Sequence, residues 1–133
     1  MAFVADNSVV IAWFVASQAD AATDALLERA ATEDVHVPAI WRAEFASVLL
    51  TLSHKRKLQP ARVPAILDEL DSLQFTHDLE PPATRVLVDL GRRHALSAYD
   101  ACYLELAIRL KLPLAVRDAP LRKAAGRAGI RLI

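Results

Sequence analysis

Asp6, Glu44, Asp100 and Asp118 are the residues of this chain whose types and settings could do chemistry. Asp100 lies in Leu96-Ser97-Ala98-Tyr99-Asp100-Ala101-Cys102-Tyr103-Leu104-Glu105-Leu106-Ala107, which reads as the opening of a helix. Ser97 and Asp100 have the capping-box spacing, with Asp in place of the usual Glu or Gln. At about 100° per residue, Tyr103, Leu106, Ala107 and Leu110 form an apolar stripe, and Asp100 falls inside that sector beside Leu104 and Ala107. A carboxylate aimed at a core needs a cation or several donors, because burying it alone is costly. Asp6 ends the apolar run Met1 to Ala5, and Asp118 follows a second run, Leu112 to Val116, after Arg117. Glu44 sits on the shoulder of a helical stripe made by Trp41, Phe45, Val48 and Leu52. Two acids at strand ends and two on helices could therefore converge.

Gathered in one place, such carboxylates repel one another unless cations neutralise them. In open α/β sheets the functional crevice lies outside the carboxyl ends of the strands, where Asp6 and Asp118 fall. Hard oxygen donors without a His or Cys pattern suit Mg²⁺ or Mn²⁺ better than zinc. His36, His54, His77 and His94 are scattered, and neither a phosphate-cradling glycine loop nor a serine nucleophile motif is present. The competing account makes Asp6, Asp100 and Asp118 helix caps or dipole-compensating residues. Glu44 resists it, since a mid-helix glutamate caps nothing, although a salt bridge to Arg42 would also explain it.

The elements that must position these acids follow in order. Residues 2–5 read as a buried parallel strand, with Asp6, Asn7 and Ser8 all suited to cap a helix from Val9 to about Ala16. That helix is apolar nearly all round, more than one sheet face can cover, so it is expected to be buried by the sheet on one side and by another surface on the other. An amphipathic helix from Asp20 to about Thr32 precedes the strand Val35–Val37, which Pro38 closes. Helices from Ala39 to about His54 and from Ala61 to about Leu73 are expected to pair antiparallel, with Gln74–His77 a possible edge strand. Pro81-Pro82 opens a helix from Ala83 to about His94, and the Asp100 helix runs to about Leu110. A strand at 114–116, a helix from Pro120 to about Ala128, a turn at Gly129 and a strand at 130–132 complete the chain. Strands alternating with helices give a parallel α/β sheet with right-handed crossovers. With no repeat, low-complexity tract or linker, residues 1–133 are expected to form one domain.

Composition limits the alternatives. Of 133 residues 54% are hydrophobic and only three are Gly, which argues against disorder. No apolar run reaches the ~20 residues of a membrane span, and no signal-like segment opens the chain. The single Cys102 excludes an internal disulfide, suits a reducing cytoplasm, and is expected to pack as a small core residue. Sixteen basic and sixteen acidic residues cancel, so net charge gives no nucleic-acid signature. The basic residues nonetheless cluster, at His54-Lys55-Arg56-Lys57, at Arg92-Arg93-His94, and along the C-terminal helix.

Asp6-Asn7-Ser8, Glu44, Ser97-Ala98-Tyr99-Asp100-Ala101 and Leu114-Ala115-Val116-Arg117-Asp118 together resemble the PIN domain, a metal-dependent nuclease fold. In particular they resemble the toxin subunit of VapBC-type toxin–antitoxin pairs. The resemblance implies a PIN-like α/β fold, with a short parallel sheet of four to five strands flanked by about seven helices. It implies that Asp6, Glu44, Asp100 and Asp118 ligate one or two Mg²⁺ (or Mn²⁺), with Ser8, and Asn7 beside it, supporting Asp6. It further implies an endoribonuclease toxin, a homodimer, and a VapB-type antitoxin whose C-terminal segment lies along the helices at 39–73. Arg42 and Arg117, the basic residues nearest the acids in sequence, are candidates for holding RNA phosphates. Many members carry Thr or Ser two residues before the last Asp; here that place is Val116. Two other readings remain: a non-catalytic module that docks a protein on its helical face, and a phosphatase or receiver-like domain. The last two fit less well, lacking an Asp-x-Asp pair after the first strand and a lysine at a late strand end.

Overall fold

A computed structural model describes all residues, 1–133. Four short strands, β1 (Ala2–Ala5), β2 (Asp34–Val37), β3 (Phe75–His77) and β4 (Leu114–Ala115), form a parallel sheet in the order β3-β2-β1-β4. Seven helices surround it: α1 (Asn7–Phe14), α2 (Ala21–Ala30), α3 (Trp41–His54), α4 (Arg62–Asp71), α5 (Thr84–His94), α6 (Ala98–Leu110) and α7 (Ala119–Arg127). This is the PIN-like α/β architecture that the sequence led us to expect. β1 and β4 are continuous apolar runs, whereas β2 and β3 toward the sheet edge alternate with polar residues; Phe3, Val4, Ala5, Val35, Val37, Leu114 and Ala115 are all fully buried. Phe3 lies opposite Val35 and Val4 opposite Leu114, so β1 is central. The chain leaves β1 toward β2 on one side and returns as β4 on the other. The strand order therefore switches beside β1, and the Asp6 N–H donates to the Ala115 carbonyl at 2.9 Å across that switch point.

Several expectations need correction. The 130–132 segment is no strand; it touches the sheet through one bridge, Leu114 to Leu132, because β4 offers only two residues to pair with. The apolar α1 is covered within a single chain, by the sheet on one side and by α2 and α3 on the other, and Val9 to Phe14 are all buried. Trp13 donates its indole N–H to the Thr23 carbonyl at 3.0 Å, pinning α2 over it. The second covering surface expected over α1 is thus supplied by α2 and α3 of the same chain. Leu110 leaves the α6 stripe and is exposed, since the helix ends there on the left-handed Lys111 (φ 56°). α3 begins at Trp41, so Glu44 stands in its first turn, where the helix dipole favours a carboxylate.

α3 and α4 do not close on one another. They splay around an apolar cavity of about 580 Å³, lined by Trp41, Phe45, Leu49, Val63, Leu67 and Leu70 and floored by Phe75. Trp41 stacks on Phe75 with centroids 5.1 Å apart. Arg62 anchors α4, donating to the Phe14 carbonyl at 3.0 Å and pairing with Glu69 at 2.7 Å.

α5 turns into α6 through a close approach at Gly91. Its carbonyl accepts from Leu96 N–H at 3.0 Å, and a Cβ on Gly91 would meet the Leu96 carbonyl oxygen at 2.9 Å. Helix propensity alone favours Ala over Gly by about 1 kcal/mol. Here the obstructing atom is backbone that cannot swing aside, so Gly91→Ala is expected to destabilise, by roughly 1–2 kcal/mol in urea unfolding.

Candidate metal centre

Asp6 is held by its own neighbours. It precedes α1, and its Oδ2 accepts from the Ser8 hydroxyl at 2.6 Å and from the Ser8 N–H at 3.3 Å. Burial pushes its pKa up; the bonds from Ser8 and the Asn7 N–H pull the other way, and the charge of Asp118 adds to the rise. Asp100 lies in the first turn of α6. The Ser97 hydroxyl accepts from the Asp100 N–H at 3.1 Å, which leaves the Asp100 carboxylate without a backbone capping bond. Its pKa is raised by burial first, then by Asp6 and Asp118. Asp118 occupies the N-cap position of α7, yet its side chain makes no capping bond. Of the three aspartates, only Asp6 accepts a capping bond.

Glu44 approaches from α3. Its Oε1 accepts from the Tyr103 hydroxyl at 2.7 Å, across 59 residues of sequence. Burial raises the Glu44 pKa, the Tyr103 bond opposes that, and the charges of Asp6 and Asp100 add to it. The bond ties α3 to α6 beneath the acids. The phenol of Tyr103, itself fully buried, is pushed far above its ordinary range by that burial and by Glu44.

The charges of Asp6 and Asp100 thus reach Glu44, those of Asp6 and Asp118 reach Asp100, and no side-chain cation pairs with any of the four. Every salt bridge of the molecule lies elsewhere, and none includes Asp6, Glu44, Asp100 or Asp118. Arg42 lines the α3–α4 cavity beside His77, whose pKa is lowered by burial first and then by the Arg42 charge. Arg117 donates to the Gln18 carbonyl at 2.9 Å and lies 3.9 Å from Asp20. Val116 is buried, its carbonyl accepting from Arg122 at 2.9 Å. Cys102 is buried, and burial followed by Glu44 and Glu105 raises its pKa, which makes it a poor nucleophile.

The donor set, all hard oxygen and in net deficit of positive charge, suits a divalent cation such as Mg²⁺ in kind. Its spacing is open: no three His, Cys, Asp or Glu side chains stand close enough together to hold an ion between them.

Residues 3–127 match the family model of the PIN domain. The chain belongs to the PIN domain family. PIN domains are generally nucleases, and they generally use divalent metal ions. This PIN domain is similar to the crystal structure of PAE2754 from Pyrobaculum aerophilum, with a TM-score of 0.67 and 18% identity over 93% of this chain and 84% of that one. It is likewise similar to FitAcB from Neisseria gonorrhoeae, with a TM-score of 0.63 and 18% identity over 100% of this chain and 96% of that one. At such identity the two likenesses speak to the fold alone. No curated protein matches the chain.

Tyr103 is the site neighbour that sequence reasoning missed, having been placed only in a core stripe. The signal was there: a buried tyrosine requires a partner for its hydroxyl, and Tyr103 lies one helical turn beyond Asp100. Tyr103→Phe removes the only side-chain donor on Glu44 and leaves that carboxylate less satisfied. The expected cost is about 1–3 kcal/mol by chemical denaturation. Tyr103→Phe combined with Glu44→Gln should recover part of it, because the second change removes the charge that lost its donor.

Proposed function

We propose that this PIN domain is a Mg²⁺- or Mn²⁺-dependent endoribonuclease and the toxin of a type II toxin–antitoxin pair of the VapBC kind, acting in the cytoplasm. What supports the catalytic part is the placement of Asp6, Glu44, Asp100 and Asp118 around the strand-order switch, within reach of one another's charge and with no salt bridge to any of them. Structural caps would not need to be brought within reach of one another's charge.

Asp6, Asp100, Asp118 and Glu44 would hold the cation. When bound, it lowers the pKa of water and neutralises charge building on the phosphodiester. The chain's own residues prepare that step. Ser8 fixes one oxygen of Asp6 and leaves the other available; Tyr103 fixes one oxygen of Glu44 in the same way. The hydrogen bond from Asp6 N–H to Ala115 sets the two strand ends side by side.

The antitoxin is proposed to lay its C-terminal segment along α3 and α4, where an apolar cavity stands open and Leu50 and Leu67 are exposed. A homodimer remains part of this reading, through surfaces other than α1. No helix is long and apolar enough to cross a membrane.

Purified protein should cleave RNA with Mg²⁺ or Mn²⁺ and stop on chelation. Cleavage that survives both chelation and Asp6→Asn would mark a contaminant and end the assignment. Co-expression with the adjacent gene tests the antitoxin: neither a complex nor rescue of growth would remove it.

A further inference from the structure

A cavity of about 460 Å³ adjoins the acids, lined by Asn7, Ile40, Glu44, Ser47, Val48 and Tyr99 among others. It shares its wall with the acidic centre: Asn7 follows Asp6, Tyr99 precedes Asp100, and Glu44 belongs to both. Tyr99 is 59% exposed, whereas the other seven aromatic side chains, Phe75 included, are buried or partly buried. A ring left in water where every other ring is packed has an unused π face. The Asn7 Oδ1 is buried and has no hydrogen-bond partner, a costly state for an amide oxygen. Ile40 and Val48 supply apolar flanks.

We propose that this cavity is a nucleobase subsite, in which the Tyr99 ring stacks on a base of the RNA and the Asn7 amide oxygen accepts from that base's exocyclic amine. The identity of the ligand rests on the nuclease reading given above. A base is the group that offers a flat π face for the ring together with an in-plane N–H for the amide. Adenine, cytosine and guanine carry the exocyclic amine and uracil does not, so the subsite favours the first three. Because Glu44 lines the cavity and also feels the charges of Asp6 and Asp100, a base seated there places an adjoining phosphodiester next to the acids.

The test is fluorescence anisotropy with the full chain and Ca²⁺, using labelled ten-nucleotide oligoadenylate, oligouridylate and an abasic ribose-phosphate strand of equal length. The parent protein should bind oligoadenylate at least about tenfold more tightly than the abasic strand, the scale of one stacked base. Tyr99→Ala should erase that difference, Tyr99→Phe should keep it, and Asn7→Ala should level oligoadenylate with oligouridylate. Equal binding of oligoadenylate and abasic strands by the parent, no binding of any strand, or a Tyr99→Ala protein that still prefers bases, would each overturn the subsite. A parallel cleavage assay in Mg²⁺ separates the two readings. Cleavage without base preference leaves the nuclease and removes the subsite; base-dependent binding without cleavage does the reverse.

Discussion

Asp100→Asn is expected to leave the metal-free protein as stable as its parent or more so, while removing most of the stabilisation that Mn²⁺ confers. If Asp100 were only a cap, the substitution would cost up to about 1 kcal/mol and leave the metal response intact. The structure makes the cap account harder to hold, since the capping bond at this position is donated by the Asp100 N–H to the Ser97 hydroxyl oxygen and needs no carboxylate. Asp100 instead sits half-buried in the field of Asp6 and Asp118. Neutralising it relieves that repulsion in the metal-free protein. A ligand that binds only the native state adds RT ln(1 + [L]/Kd), roughly 2.7 kcal/mol at a hundredfold excess over Kd. Thermal melts of parent and variant, each in chelator and in millimolar Mn²⁺, read both effects. A variant that is weaker in chelator yet fully stabilised by Mn²⁺ would make Asp100 structural and remove the metal centre as described.

The second large effect is on pH. Asp6, Glu44 and Asp100 have pKa values raised above their unfolded references of 3.8, 4.5 and 3.8. Each native carboxylate therefore holds its proton to a higher pH than the unfolded chain does. Where the native state binds more protons, stability falls as pH rises. In chelator these groups should thus stabilise the fold as pH drops from neutral through their raised values, the gain levelling off near 4. His77 works the other way: its folded pKa is lowered from 6.5, so acidification below that value costs stability. The comparison that isolates the acids is parent against Asp6→Asn, because His77 is common to both. The parent's midpoint should gain on the variant's as pH falls from neutral toward 4, at about 4 °C per kcal/mol. Saturating Mg²⁺ should invert the trend, since the ion binds deprotonated carboxylates and is lost with acid. A parent that only loses stability relative to Asp6→Asn over that interval would contradict the raised values.

Much of the fold was legible in the chain itself. Ala2–Ala5 and Leu114–Ala115 read as buried parallel strands because a strand covered on both faces has no polar positions to alternate. The helices announced themselves through Asp20 and Ser97 at their caps, Pro81-Pro82 at the start of α5 and stripes of apolar residues. With strands and helices alternating, right-handed crossovers left few ways to arrange a four-stranded parallel sheet. That arrangement sets Asp6 and Asp118 at adjacent strand ends, a placement local pattern and topology suffice to foresee.

The tertiary structure alone decided what depends on distance. The α1 helix looked over-apolar because sequence periodicity cannot count covering surfaces, and α2 and α3 supplied the second one. The cavity between α3 and α4, and the stacking of Trp41 on Phe75 that packs α3 against the sheet edge, likewise depend on how distant segments meet. Arg117, adjacent to Asp118 in sequence, donates to the Gln18 carbonyl because a long stem places an arginine's charge where a tertiary acceptor lies, and Arg42, close to Glu44 in sequence, lines the α3–α4 cavity instead. Tyr103 meets Glu44 across 59 residues for the same reason: which side chain fills a buried donor's need is settled only when two helices dock. Sequence determined the elements and the strand ends that carry the acids; packing determined which charges, rings and hydroxyls face them.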